Sequence, residues 1–94
     1  VYYVYILTNS NRTVLYVGVT NDLKVRLTYH KSPTLSQNSF TNRYKVYFLI
    51  YFETFSHVLD AITREKEIKG WSRKRKEELI NTQNKEWKFL NDII

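Results

Sequence analysis

The sequence predicts an α+β domain built on a small, mostly antiparallel sheet, and three observations carry that reading. Residues 1–8 alternate as a strand does. Residues 14–19 form a second β-branched and aromatic run close behind. Apolar residues then recur at helical spacing after residue 22 and again after residue 57, with an apolar run between them. The element order is β, β, α, β, α, α.

In the first strand Tyr3, Tyr5 and Leu7 share one face, and Tyr2, Val4 and Ile6 the other. Asn9, Ser10, Asn11 and Arg12 supply turn chemistry, so the first two strands form a hairpin. Thr20, Asn21 and Asp22 are N-cap candidates for a helix over 23–31, which Pro33 ends. Residues 32–43 are dominated by Ser, Thr, Asn and Gln and read as a surface loop. The third strand, 46–53, is apolar on both faces, which places it at the centre of the sheet. A second helix spans 57–69 and closes at Gly70, a third spans 73–80, and a tail over 84–93 packs Trp87 and Leu90 on the body.

The chain of 94 residues has room for one domain, read here as spanning 1–94, so a single site has to do all the work. A hydrophobic share of 43% against 26% charged residues is that of a folded globule, which excludes disorder. With no cysteine there is no disulfide scaffold, thiolate zinc site or thiol nucleophile, so a metal has to use oxygen or imidazole. The longest apolar run is too short to cross a bilayer and no signal series opens the chain, so the expected location is the cytoplasm. The formal charge of +6 makes a polyanion the first partner to consider.

Several polar side chains fall where periodicity asks for apolar ones. Steps of three and four put Leu23, Arg26, Leu27 and His30 on one helix stripe. On the second helix Val58, Ala61, Ile62 and Ile68 define an apolar arc with Glu65 near its middle. A carboxylate so placed has to pair with a cation, bind a metal or open onto a cleft; Lys69, one turn on, and Arg26 are the available cations. Gly18 lies on the hairpin face of Tyr5 and Tyr16 and leaves room there. Lys69, Arg73, Lys74, Arg75 and Lys76 interleave with Trp71 in a pattern suited to phosphate contacts, although they cannot all share one helix face. His57 reads as a surface residue.

Tyr5, Tyr16, Arg26, His30 and Glu65 make up a parts list for metal-assisted phosphodiester hydrolysis. A carboxylate holds a hard divalent ion such as Mg or Mn, an arginine neutralises developing charge, and a phenol or imidazole handles the proton of the attacking water. One inward carboxylate points to one ion. Two other readings stand beside this one: a nucleic-acid-binding module without catalysis, using the basic segment, and a protein-interaction domain anchored by Trp71, Trp87 and the tyrosines.

Tyr3-Val4-Tyr5 followed by Tyr16-Val17-Gly18 resembles the paired motif of the GIY-YIG nuclease superfamily, with Arg26, His30 and Glu65 at the family's spacing. Residues 15–23 (LYVGVTNDL), 40–44 (FTNRY) and 64–71 (REKEIKGW) resemble its small single-domain bacterial subgroup, and the similarity runs from Tyr2 to about Trp87. Tyr3 replaces the first motif glycine and Val17 an isoleucine. The resemblance implies a three-stranded antiparallel sheet flanked by three or more helices, and a DNA endonuclease, with RNA also open. It implies Glu65 as metal ligand, Arg26 at the scissile phosphate, Tyr5 and Tyr16 in the proton and water network, and His30 assisting or positioning. Asn81 stands where some members place a polar residue near the site. Larger members, such as phage homing endonucleases and the bacterial excision-repair subunit, carry separate DNA-recognition parts. A lone domain is therefore expected to read DNA structure more than sequence, or to be guided by a partner protein.

Overall fold

The computed structural model describes residues 1–31 and 43–94, apart from the side chains of residues 30 and 31. Strand β1 (Tyr2–Thr8) and strand β2 (Leu15–Thr20) form the hairpin, and β1 also pairs antiparallel with β3 (Phe48–Phe55), giving the sheet order β2-β1-β3. Helix α1 (Leu23–Lys31) follows β2, while α2 (Val58–Lys69), α3 (Arg73–Gln83) and a short 3-10 turn (Asn91–Ile93) follow β3. Of the loop expected over residues 32–43, residues 32–42 and the Pro33 stop lie outside the described residues, and Arg43 is helical rather than in a loop.

Local chemistry sets the boundaries. The Asn9 amide oxygen accepts from the backbone N–H of Thr13 at 2.8 Å and of Val14 at 3.2 Å, turning the chain between β1 and β2. Asp22 Oδ1 caps α1 by accepting from Val25 N at 3.1 Å, and Ser72 Oγ caps α3 from Arg75 N at 3.2 Å. Gly70 ends α2 with φ −79°, a conformation open to any residue, so its lack of a side chain is not what stops the helix.

Alternation puts the two faces of the hairpin to separate uses. Val4, Ile6 and Val17 pack with Ala61, Ile68 and Ile80 beneath α2 and α3. Tyr5 and Leu7 pack with Leu23, Leu27, Val46 and Leu49 beneath α1 and the tail. The sheet is thus the middle of three layers.

Three sequence expectations change. The central strand is β1, and β3 lies at the edge. Apolar residues on both faces of β3 record that both faces of the sheet are covered, which an edge strand shares with a central one. The strand also starts two residues later than expected, after Lys45 in the left-handed region at φ 53° and the buried Val46. Finally, α3 runs on to Gln83 rather than stopping at Ile80.

A register shift between Ile6 and Leu7 places an extra residue on β3. Ile50 and Tyr51 consequently share the α2 face, while Leu49 and Phe52 look to the α1 face. Strict alternation is lost there, which is why a period of two did not describe this strand.

The tail covers the outer edge of β3. Leu90 N donates to Leu49 O at 2.7 Å, Leu49 N to Asn91 Oδ1 at 2.9 Å, and Asn91 Nδ2 to Tyr47 O at 3.1 Å. The buried Asn84 amide donates to Ile50 O and Lys88 O, both at 2.8 Å, and accepts from Lys88 N at 2.9 Å. Asn84→Ala removes these partners from a buried edge and is expected to lower stability by about 1–3 kcal/mol. Urea denaturation measures it, with an unchanged midpoint as the contrary result.

Candidate active site

The site is built around Tyr5. In the β1–β2 register Tyr5 stands opposite Gly18, and Leu7 opposite Tyr16, so the two tyrosines are diagonal neighbours on one face. Tyr5 is 1% exposed, and its ring lies directly across Gly18. A Cβ on Gly18 would fall 2.5 Å from Tyr5 Cζ and 3.0 Å from Cε1, and would also collide with Oη. The room that the glycine leaves is thus filled by the phenol of Tyr5, which is carried onto the edge strand β2.

Burial and then the Tyr16 phenol raise the Tyr5 pKa well above its ordinary value; the Arg26 guanidinium lowers it and the Glu65 carboxylate raises it again. Tyr16, Arg26 and Glu65 are therefore all close enough to act on this one hydroxyl. They come from β2, α1 and α2, so charges from both helical layers are felt at the hydroxyl that Tyr5 carries across Gly18.

The inward stripe of α1 divides. Leu23 and Leu27 are buried, whereas Arg26 is exposed, so its charge stays in water beside the site. His30 belongs to the same helix, and its side chain lies outside the described residues. On α2, Ala61 and Ile68 are buried, but Val58 is 42% exposed and so leaves the expected apolar arc. The Glu65 side chain is 13% exposed, as its inward position requires, and Oε1 pairs with Lys69 Nζ at 3.2 Å.

The basic segment has mixed employment. Arg73 pairs with Glu77 at 3.0 Å and donates to the hairpin carbonyls of Arg12, at 3.1 Å, and Thr13, fastening α3 to the turn. Arg75 lies over the Trp71 ring, 4.0 Å from its centroid. Lys74 is exposed and Lys76 half-buried. Asn81 accepts from the Trp87 indole at 2.6 Å.

A second polar cluster was not anticipated. Arg64 grips Glu53 with Nε–Oε1 and Nη2–Oε2 contacts of 3.0 Å each, reaches Glu67 at 2.7 Å, and Tyr51 donates a short hydrogen bond to Glu53. Burial opposes the Glu53 charge, but hydrogen bonds from Arg64 and Tyr51 and the Arg64 charge outweigh it, so the carboxyl pKa lies below its ordinary value. The cluster ties β3 to α2. The i, i+3 spacing of Arg64 and Glu67 was readable, whereas the pairing with Glu53 depends on the tertiary fold.

Tyr51 shares the behaviour of Tyr5: burial, its bond to Glu53 and the charge of that carboxylate raise its pKa, against the influence of Arg64. For a phenol whose folded pKa exceeds the unfolded value of about 10, the folded state holds the extra proton above that pH. Its contribution is complete below about pH 10 and is lost as pH rises from there through the folded pKa. Melting temperature is expected to fall above pH 10, with Tyr5 and Tyr51 ionising only as the chain unfolds. Tyrosinate absorbance followed alongside circular dichroism checks this; ionisation of all eight tyrosines near pH 10 in a folded chain would contradict it.

The donor set bears on a metal. Glu65 offers a hard carboxylate beside phenolic oxygens, and no group of three or more His, Asp or Glu gathers among the described residues. This fits a hydrated divalent ion completed by water and substrate oxygens, rather than a caged one. Among the described residues, no helix is long and apolar enough to cross a membrane.

Comparison with known proteins gives a consistent result. The model of the GIY-YIG catalytic domain matches residues 1–81. A UPF0213 protein of Staphylococcus haemolyticus is 35% identical over 79 residues, covering 84% of this chain and 93% of the relative. One from Haloquadratum walsbyi is 33% identical over 78 residues, covering 83% and 84% respectively. The solution NMR structure of a UPF0213 protein from Bacillus halodurans superposes with a TM-score of 0.58 at 28% identity, covering 92% of this chain and 88% of that one. With the three-stranded antiparallel sheet and its flanking helices in agreement, the chain belongs to the GIY-YIG nuclease family, among its small UPF0213 proteins.

Proposed function

We propose that this protein is a divalent-metal-dependent endonuclease that hydrolyses phosphodiester bonds in DNA. The observation that carries the reading is the convergence of Tyr16, Arg26 and Glu65 on the hydroxyl of Tyr5 at Gly18. Glu65 holds one Mg or Mn ion, which when bound polarises a phosphoryl oxygen. Arg26, exposed at the rim, meets the scissile phosphate and neutralises charge growing on it. Tyr5, whose burial favours the protonated phenol, orients the water and relays its proton through the O–H. Tyr16 and His30 complete the proton network. Lys69, Arg73, Lys74, Arg75 and Lys76 supply phosphate contacts, with Lys74 exposed and Arg73 committed to the fold through Glu77 and the hairpin carbonyls. Recognition rests on DNA structure more than sequence, or on a partner protein.

The Glu65–Lys69 pair favours a second reading, a nucleic-acid-binding module whose polar set is structural. Supercoiled, branched and single-stranded DNA, with RNA in parallel, incubated with Mg or Mn separates the two. The endonuclease reading expects cleavage that EDTA and Glu65→Gln each abolish. Salt-sensitive binding without cleavage of any substrate supports the module instead.

A further inference from the structure

We propose that Lys69 is a placeholder cation, holding the Glu65 carboxylate until a divalent ion takes it and then passing to a substrate phosphate. The inference rests on Glu65 being the metal ligand, as argued above.

The pair is asymmetric. Nζ of Lys69 lies 3.2 Å from Glu65 Oε1, yet the Glu65 side chain is 13% exposed and that of Lys69 52%. A carboxylate that shielded needs a countercharge, and the ammonium one turn along α2 provides it. The ammonium is itself half in water on a flexible four-carbon stem, so it can change partners while the helix stays in place. With its cation half in water, an i, i+4 helix pair of this kind is weak, hence displaceable. A divalent ion at Glu65 repels the ammonium at close range, and the displaced Lys69 stands where the cation-rich segment begins. Metal and Lys69 therefore compete for Glu65, while metal and phosphate bind cooperatively, each strengthening the other by the same factor.

Mn2+ alone, titrated into the full chain and followed by the electron paramagnetic resonance of the free ion, tests the first half on wild type, Lys69→Met, Lys69→Arg and Glu65→Gln. Lys69→Met is expected to bind Mn2+ about two- to fivefold more tightly, the range a half-exposed ion pair supports. Lys69→Arg is expected to match wild type, and Glu65→Gln to lose the site. If Glu65→Gln loses the site while Lys69→Met binds no more tightly than wild type, the placeholder role is wrong and the ligand assignment stands. Equal Mn2+ binding by wild type and Glu65→Gln removes the ligand assignment, and the placeholder with it. For the second half, binding of a DNA hairpin is measured with and without Ca2+. The gain on adding Ca2+ is expected to be larger for wild type than for Lys69→Met; equal gains overturn the transfer to phosphate.

Discussion

Glu65→Gln is expected to lower the rate of DNA cleavage by at least about 100-fold while leaving the fold intact. The substitution keeps the shape of the side chain and removes the charge that holds a hard cation. Its structural cost is small, because the ion pair it breaks among the described residues, with the half-exposed Lys69, is of a kind worth about 0.3–0.5 kcal/mol. Activity and stability thus respond on different scales. Cleavage rates in saturating Mg or Mn, set beside urea denaturation of the same preparations, read both. A variant that cleaves within a few-fold of wild type would remove Glu65 from the chemistry and leave its pair with Lys69 as structural.

Gly18→Ala is the second large effect. The added Cβ meets Oη, Cζ and Cε1 of Tyr5, all parts of a rigid ring that is 1% exposed and has little space to yield. Overpacking of this kind costs about 1–3 kcal/mol, more than the fraction of a kcal/mol that alanine gains over glycine in a strand. Removing the ring also costs, about 3–5 kcal/mol for a buried aromatic truncated to alanine. The two changes answer the same collision, so Gly18→Ala in a Tyr5→Ala background is expected to cost little beyond Tyr5→Ala alone. A double-mutant cycle in urea measures the coupling, and simple additivity would refute the collision. Gly18→Ala should also depress cleavage, because the ring it displaces presents the hydroxyl on which Tyr16, Arg26 and Glu65 act.

Much of this was legible in local sequence. Period-two alternation placed Tyr3, Tyr5 and Leu7 together, and helical spacing turned Glu65 inward, both as observed. The position of β3 was not legible, since Leu49, Ile50, Tyr51 and Phe52 are apolar at an edge that the tail and both helical layers enclose. Nor could composition separate the employed cations from the available ones. Arg73 turns to carbonyls of the distant hairpin, and Arg64 finds its carboxylate on β3, contacts fixed only by the tertiary fold. The function of Gly18 was half-visible: the sequence showed that space is needed, and the register identifies the ring that fills it.

The tail has a consequence for assembly. An edge strand ordinarily offers its backbone as a template on which another chain can add a strand. Here Tyr47, Leu49 and Ile50 bond to side chains and backbone of Asn84, Leu90 and Asn91, so that template is occupied from within the same molecule. The family match ends at residue 81, before this stopper begins. Chain clipped after Gln83 would keep the matched region but bare a sticky apolar strand, so the last eleven residues are expected to guard solubility.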